Sequence, residues 1–138
     1  KSRSRGLGDV YKRQDLLPME NVKGIHFQNL DLFSTEFDEC MNSVIRKADL
    51  ILSDMSVNLS GIKVIDDEAN RELNLFCLEL SKKILDKNGA LLIKTFTNQN
   101  LKTLKMSFEN YFEKVFIEKP EASKTSSAEV YLLGLVPK

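Results

Sequence analysis

The sequence predicts an α/β fold on a mostly parallel sheet that ends in an antiparallel C-terminal hairpin. Two observations carry this expectation. Short apolar runs alternate along the chain with helix-length amphipathic segments, the pattern of βαβ units. The last two strand-like runs, 115–117 and 130–135, are joined by a polar loop without a helix, so they should pair antiparallel at one sheet edge.

The elements follow in order. Residues 1–14 show no clean period and few core residues, and read as a disordered or non-native arm; residues 15–138 read as one partial domain. A strand is expected over 22–31, with Ile25 and Phe27 apolar and Asp31 at its end. Ser34 or Thr35 can cap the next helix, whose first turn holds Glu36, Asp38 and Glu39, where the helix dipole favours negative charge. Phe37, Met41, Val44 and Ile45 make its apolar stripe. Leu50 to Leu52 is a short strand ending at Ser53-Asp54, followed by a polar loop with Asn58, Ser60 and Gly61. Ala69, Leu73, Phe76, Cys77, Leu80 and Ile84 mark a long helix that Asn88-Gly89 should stop. Ala90 to Ile93 is a strand, and Leu101, Leu104, Phe108 and Phe112 mark a third helix.

Three of these strands carry an ionisable residue at or near one end: Asp54, Lys94 and Glu129. Desolvating an unpaired charge costs several kcal/mol or shifts its pKa, so buried strands seldom hold one. Three together point to a site. Asp31, Asp54 and Lys94 follow their apolar runs and should converge on the carboxyl edge of the sheet, where open α/β folds bind ligands. Taken singly, each has a plainer explanation. Lys94 suits a snorkelling side chain, Glu129 an edge-strand charge, and Asp54 a cap or turn former.

Composition narrows the class. A chain of 138 residues with 42% apolar and 29% charged residues is ordinary for one soluble domain. No apolar run reaches the roughly 18 residues of a membrane span. A net charge of zero argues against an autonomous, strongly basic nucleic-acid-binding domain, although not against a local basic patch. Cys40 and Cys77 lack CxxC spacing and read as reduced thiols. With His26 as the one histidine, no metal site is expected.

The motifs resemble the FtsJ-like (RrmJ) family of ribosomal RNA 2′-O-methyltransferases. Asp15-Leu16-Leu17-Pro18-Met19 is similar to the family's segment after its second strand. Residues 52–61, Leu-Ser-Asp-Met-Ser-Val-Asn-Leu-Ser-Gly, are similar to its Ser-Asp-Met-Ala-Pro-Asn-x-Ser-Gly motif. Ile93-Lys94-Thr95-Phe96 and Ser127-Ala128-Glu129-Val130-Tyr131 match its later motifs in order. The resemblance implies a Rossmann-like sheet, S-adenosyl-L-methionine as cofactor, and methylation of a ribose 2′-hydroxyl, a uridine's, in large-subunit ribosomal RNA. It implies three members of a catalytic tetrad here, Lys94 as general base with Asp54 and Glu129 in support. It also implies cofactor contacts from Asp15, Leu16, Asp31, Leu32 and Asp54. The implied setting is a cytoplasmic monomer that acts on ribosomal RNA or the assembled large subunit, away from membranes.

The chain departs from the family pattern. Val57 stands where Pro is usual, which should loosen the loop after Asp54. Few basic residues lie between 119 and 127, and Lys102, Lys105, Lys119 and Lys124 read as a solvated face. The family's first strand, its glycine-rich turn and its first tetrad Lys have no counterpart before Asp15, so the domain is expected to lack that strand and to be inactive as it stands. For Lys94 to act as a base, partial burial and a neighbouring cation must lower its pKa from about 10.4. Two other functions fit the sheet: a nucleotide-cofactor oxidoreductase, and a catalytically incomplete methyltransferase-like module that binds RNA or the ribosome.

Overall fold

The computed structural model describes residues 30–43, 47–119 and 128–138 in full, and the backbone of residues 2–5, 11–14 and 25–28. Among the described residues, seven strands form one sheet: β1 (Ser2–Arg5), β2 (Tyr11–Gln14), β3 (Ile25–Gln28), β4 (Ala48–Ser53), β5 (Leu85–Phe96), β6 (Phe112–Glu118) and β7 (Glu129–Pro137). Three helices join them: α1 (Thr35–Asn42), α2 (Lys63–Ile84) and α3 (Leu101–Tyr111). The strand order is β3-β2-β1-β4-β5-β7-β6. Five strands run the same way, and β1 and β7 oppose them, so the mostly parallel sheet and the antiparallel hairpin of β6 with β7 are both present. No helix among the described residues is long and apolar enough to cross a membrane.

The N-terminal region differs from its expectation. Sequence alone assigns residues 1–14 no secondary structure, yet two four-residue strands form there. The cause is pairing rather than propensity. Exposed strand edges hold rows of unpaired N–H and C=O groups, and a short polar strand satisfies them. No parallel strand with a glycine-rich turn stands beside β4 among the described residues. The slot is filled instead by β1, antiparallel to both neighbours, with Ser2 opposite Ser53 and Gln14. β2 ends at Gln14, directly ahead of Asp15.

Ser34 caps α1 as its position suggests: its Oγ accepts the Phe37 N–H at 3.1 Å. Phe37 and Met41 are buried, while Val44 and Ile45 of the expected stripe lie outside the described residues. The long helix α2 ends at Ile84, earlier than Asn88-Gly89 would stop it. Leu85 turns extended, with ψ at 134°, and is 6% exposed; burying it on the sheet outweighs another helical turn. Asn88-Gly89 marks a bulge instead. Ala48 pairs with Leu85 and Leu50 with Ala90, so residues 86–89 loop out of β5. There the Asn88 N–H donates to Asp86 Oδ2 at 3.2 Å.

Beyond the bulge the sheet alternates strictly. Leu91, Ile93 and Thr95 of β5 and Val130 and Leu132 of β7 are buried on one face, and Leu91, Ile93 and Leu132 share a core cluster with Leu73, Cys77 and Leu78 of α2 and Leu104 and Phe108 of α3. Leu92, Lys94, Phe96, Glu129, Tyr131 and Leu133 occupy the other face and are half-buried. The period of two thus settles which side of the sheet each charge takes.

Gly134 of β7 lies against the Phe112 ring. A Cβ there would sit 2.3 Å from Cδ2 and 2.6 Å from Cε2 of Phe112, which is itself 1% exposed. Gly134→Ala is expected to cost about 1–3 kcal/mol by overpacking, read as a lower urea midpoint. An unchanged midpoint would show that the ring is not held there.

Candidate active site

The parallel register of β4 and β5 brings the first two charges together. Ser53 is the Cα partner of Ile93, so the next residue on each strand, Asp54 and Lys94, falls side by side. Lys94 Nζ lies 2.9 Å from Asp54 Oδ1. The lysine side chain is 16% exposed and the carboxylate 45%, so the pair sits at a surface with the lysine more covered. The third charge comes from β7. Its register sets Tyr131 opposite Lys94 and Glu129 opposite Phe96, so Glu129 is the diagonal neighbour of Lys94 on the same face. Asp54 and Lys94 meet at the carboxyl edge, where their sequence positions put them, and β7 adds Glu129 beside them through its antiparallel register.

The electrostatics correct one expectation. Burial does push the Lys94 ammonium toward its neutral form, and it is the largest single influence. The hydrogen bond and charge of Asp54, with smaller contributions from Glu129 and Tyr131, more than offset it. The Lys94 pKa is therefore raised above the ordinary lysine value, not lowered. At neutral pH this lysine is a cation that donates to a carboxylate. Among the described residues, the charges acting on it are all acidic or phenolic, and none is the cation that would reverse the balance.

The other predicted residues are less concentrated. Asp31 lies beyond the end of β3, exposed at the same edge, with its Oδ1 accepting the Phe33 N–H at 3.0 Å. Two strands separate β3 from β4, so Asp31 stands about 14 Å away across the sheet at the usual strand spacing of about 4.8 Å. Leu32 packs against the core cluster, and so does Val57, which fastens the loop after Asp54 at that point. Asp15 and Leu16 lie outside the described residues, as does Lys124. Lys102 and Lys119 are exposed, and Lys105 lies 3.9 Å from Glu109 of its own helix. Gly61, at φ 85°, takes the left-handed turn that leads into α2. Next to it, the Ser60 backbone N–H and hydroxyl hold the Asp66 carboxylate below its usual range. Burial pushes the Cys77 thiol up to about 11, which leaves it inert. Among the described residues no three metal-ligating side chains cluster.

Sequence reasoning missed the residues behind the pair. Ser53, Asn70, Asn74 and Thr95 are all buried. Asn74 Nδ2 donates to Thr95 Oγ1 at 2.8 Å and to Asn70 Oδ1 at 3.1 Å. A signal was present: Asn70, Asn74 and Cys77 recur at helical spacing beside the apolar stripe of α2.

The sign of the Lys94 shift yields a prediction. A raised folded-state pKa means that the ion pair stabilises the fold below the ordinary lysine value. That contribution disappears as pH rises through the folded value. Asp54→Asn should therefore lower the urea midpoint at neutral pH and leave it nearly unchanged at strongly alkaline pH. Equal losses at both would show that the carboxylate acts through packing rather than charge.

Comparison with known proteins agrees with this architecture. The family model described as FtsJ-like methyltransferase matches residues 9–136. Ribosomal RNA large subunit methyltransferase E of Janthinobacterium sp. (strain Marseille) is 35% identical over 122 residues, which cover 87% of this chain and 57% of that protein. The chain thus spans a little over half the length of that relative. Among solved structures, a ribosomal RNA methyltransferase from Plasmodium falciparum superposes with a TM-score of 0.77 at 20% identity, covering 94% of this chain and 72% of the other. Human methyltransferase-like protein 13 in complex with SAH superposes with a TM-score of 0.59 at 14% identity, covering 86% of this chain and 52% of the other. With the family match running over nearly the whole sequence and the fold agreeing, the chain belongs to the FtsJ-like methyltransferase family.

Proposed function

We propose that this chain carries the reacting site for S-adenosyl-L-methionine-dependent methylation of a ribose 2′-hydroxyl, a uridine's, in large-subunit ribosomal RNA. The observation that carries this reading is the ion pair of Lys94 and Asp54 at the carboxyl edge, with Glu129 within its field. In this reading the protein works as a cytoplasmic monomer on ribosomal RNA or the assembled large subunit.

The residues present suit such a cofactor. A sulfonium is a cation, and the 45% exposed carboxylate of Asp54 can face a second cation while it holds Lys94. Asp54, Asp31 and Leu32 would hold the cofactor, together with Asp15 and Leu16. When bound, the cofactor supplies an electrophilic methyl group. The chain's own residues handle the proton and the alignment. Asp54 shared with a second cation loosens its hold on Lys94. Lys94 in its neutral form accepts the proton of the 2′-hydroxyl at Nζ. Glu129 orients the lysine or the ribose. Much of the acceleration then comes from holding the reacting groups in line.

The second reading is a methyltransferase-like module that binds RNA without transferring methyl groups. One observation favours it: the acidic neighbours keep Lys94 protonated, hence unable to accept a proton.

One assay separates the two. The chain is completed with the part of the Janthinobacterium relative that it does not span. It is then given methyl-labelled cofactor and undermethylated large subunits. A 2′-O-methyl group protects the adjacent phosphodiester from alkali, so label is expected in alkali-resistant dinucleotides. Lys94→Ala is expected to lower transfer by about 10²–10⁴-fold without unfolding the protein. Wild-type rates in that variant overturn the base. Label in mononucleotides overturns the ribose, and no transfer at all favours the binding module.

A further inference from the structure

The two strands that carry the ion pair are tied to α2 by polar groups lying directly beneath it. Ser53 precedes Asp54, and Thr95 follows Lys94. Strand alternation turns both side chains away from the charged face into the core, where they are 8% and 2% exposed. Both meet one row on α2. Cys77 Sγ donates to Ser53 Oγ at 3.5 Å, and Asn74 Nδ2 donates to Thr95 Oγ1 at 2.8 Å. Asn70, one turn earlier, closes the ring: its Oδ1 accepts from Asn74 Nδ2 at 3.1 Å and from Thr95 Oγ1 at 3.3 Å. Asn70, Asn74 and Cys77 stand at i, i+4 and i+7, the row of a helix that faces its sheet.

A row of amides is an unexpected choice for the core side of a helix. Apolar side chains there would bury area without needing partners, whereas buried amides must find them. The ring closes but leaves one group over, since Asn70 Nδ2 is buried with no partner among the described residues. Stability alone does not account for it. What directional bonds add, and apolar contacts do not, is a fixed rotation and height of each strand end against the helix.

We propose that Asn70, Asn74 and Thr95, with Cys77 and Ser53, are positioning residues that hold Asp54 and Lys94 in contact across β4 and β5. The inference rests on the proposed function only in taking that pair as the reacting site. Movement of about an ångström at such a site changes rates by orders of magnitude. A helix clasping both strands one residue from each charge limits that movement.

The test uses the full chain labelled with ¹³C-lysine. It follows the Lys94 signal through an alkaline titration, a readout that does not depend on methyl transfer. Among the described residues, Asp54, Glu129 and Tyr131 are the groups whose charges act on Lys94. Thr95→Val keeps the shape but removes the hydroxyl, and is expected to shift the Lys94 midpoint down towards that of exposed lysines. Thr95→Ser restores the hydroxyl and should restore the midpoint. A folded Thr95→Val with a wild-type midpoint overturns the proposal, as does a Thr95→Ser that shifts as far as Thr95→Val. Should Thr95→Val fail to fold, Asn70→Ala decides. It leaves the bond from Asn74 to Thr95 in place; a downward shift supports the ring, and an unchanged midpoint overturns it. Failure of methyl transfer with these shifts intact would count against the proposed function alone.

Discussion

The parallel pairing of β4 with β5 is the constraint on which the rest of the site depends. Parallel strands need a crossover, and α2 is that crossover. Its length sets where β5 begins, and the bulge at residues 86–89 takes up the excess chain before regular pairing resumes at Ala90. From Ala90 onward each residue of β5 has its partner and its face assigned. Shifting β5 by one residue would send Lys94 into the core and Ile93 to the surface. The fully buried Leu91 and Ile93 hold the charge in place, because they cannot be exposed without losing the core.

Within that frame, two effects compete at Lys94. Partial burial disfavours its charge, while the acidic neighbours favour it, and the neighbours prevail. A more deeply buried lysine with the same partners would be poised nearer neutrality, at greater cost in desolvation. The arrangement seen here keeps the resting site stable and ionised. It leaves the proton balance to whatever charge next approaches Asp54, whose carboxylate remains 45% exposed.

Features that depend on local chemistry were legible in the sequence. Ser34 as a cap, Gly61 in a turn, and the charges of Asp54, Lys94 and Glu129 at the ends of apolar runs all follow from side chains acting over a few residues. What the sequence hid depends on partners distant along the chain. Residues 2–5 and 11–14 have no strand signature because pairing makes them strands: β1 lies between β4 and β2, and β2 between β1 and β3. Asn70 and Asn74 carry no signal of a buried partner until the sheet beneath α2 supplies Thr95. The end of α2 was misplaced because the burial of Leu85 outweighs the local signal of Asn88-Gly89. The sign of the Lys94 shift needed the sum of three neighbours from two other elements.

The central place of β4 in the strand order bears on how the site breathes. Many enzymes keep reactive groups on surface segments that open at little free-energy cost and far more often than the domain unfolds. Here Asp54 directly follows the middle strand of seven, and Lys94 lies on its neighbour, flanked in turn by β7. Edge strands β3 and β6 can fray without disturbing either residue. The β4 and β5 backbone that leads up to the ion pair is therefore expected to exchange its amide hydrogens only with global unfolding, on the slowest timescale the protein has.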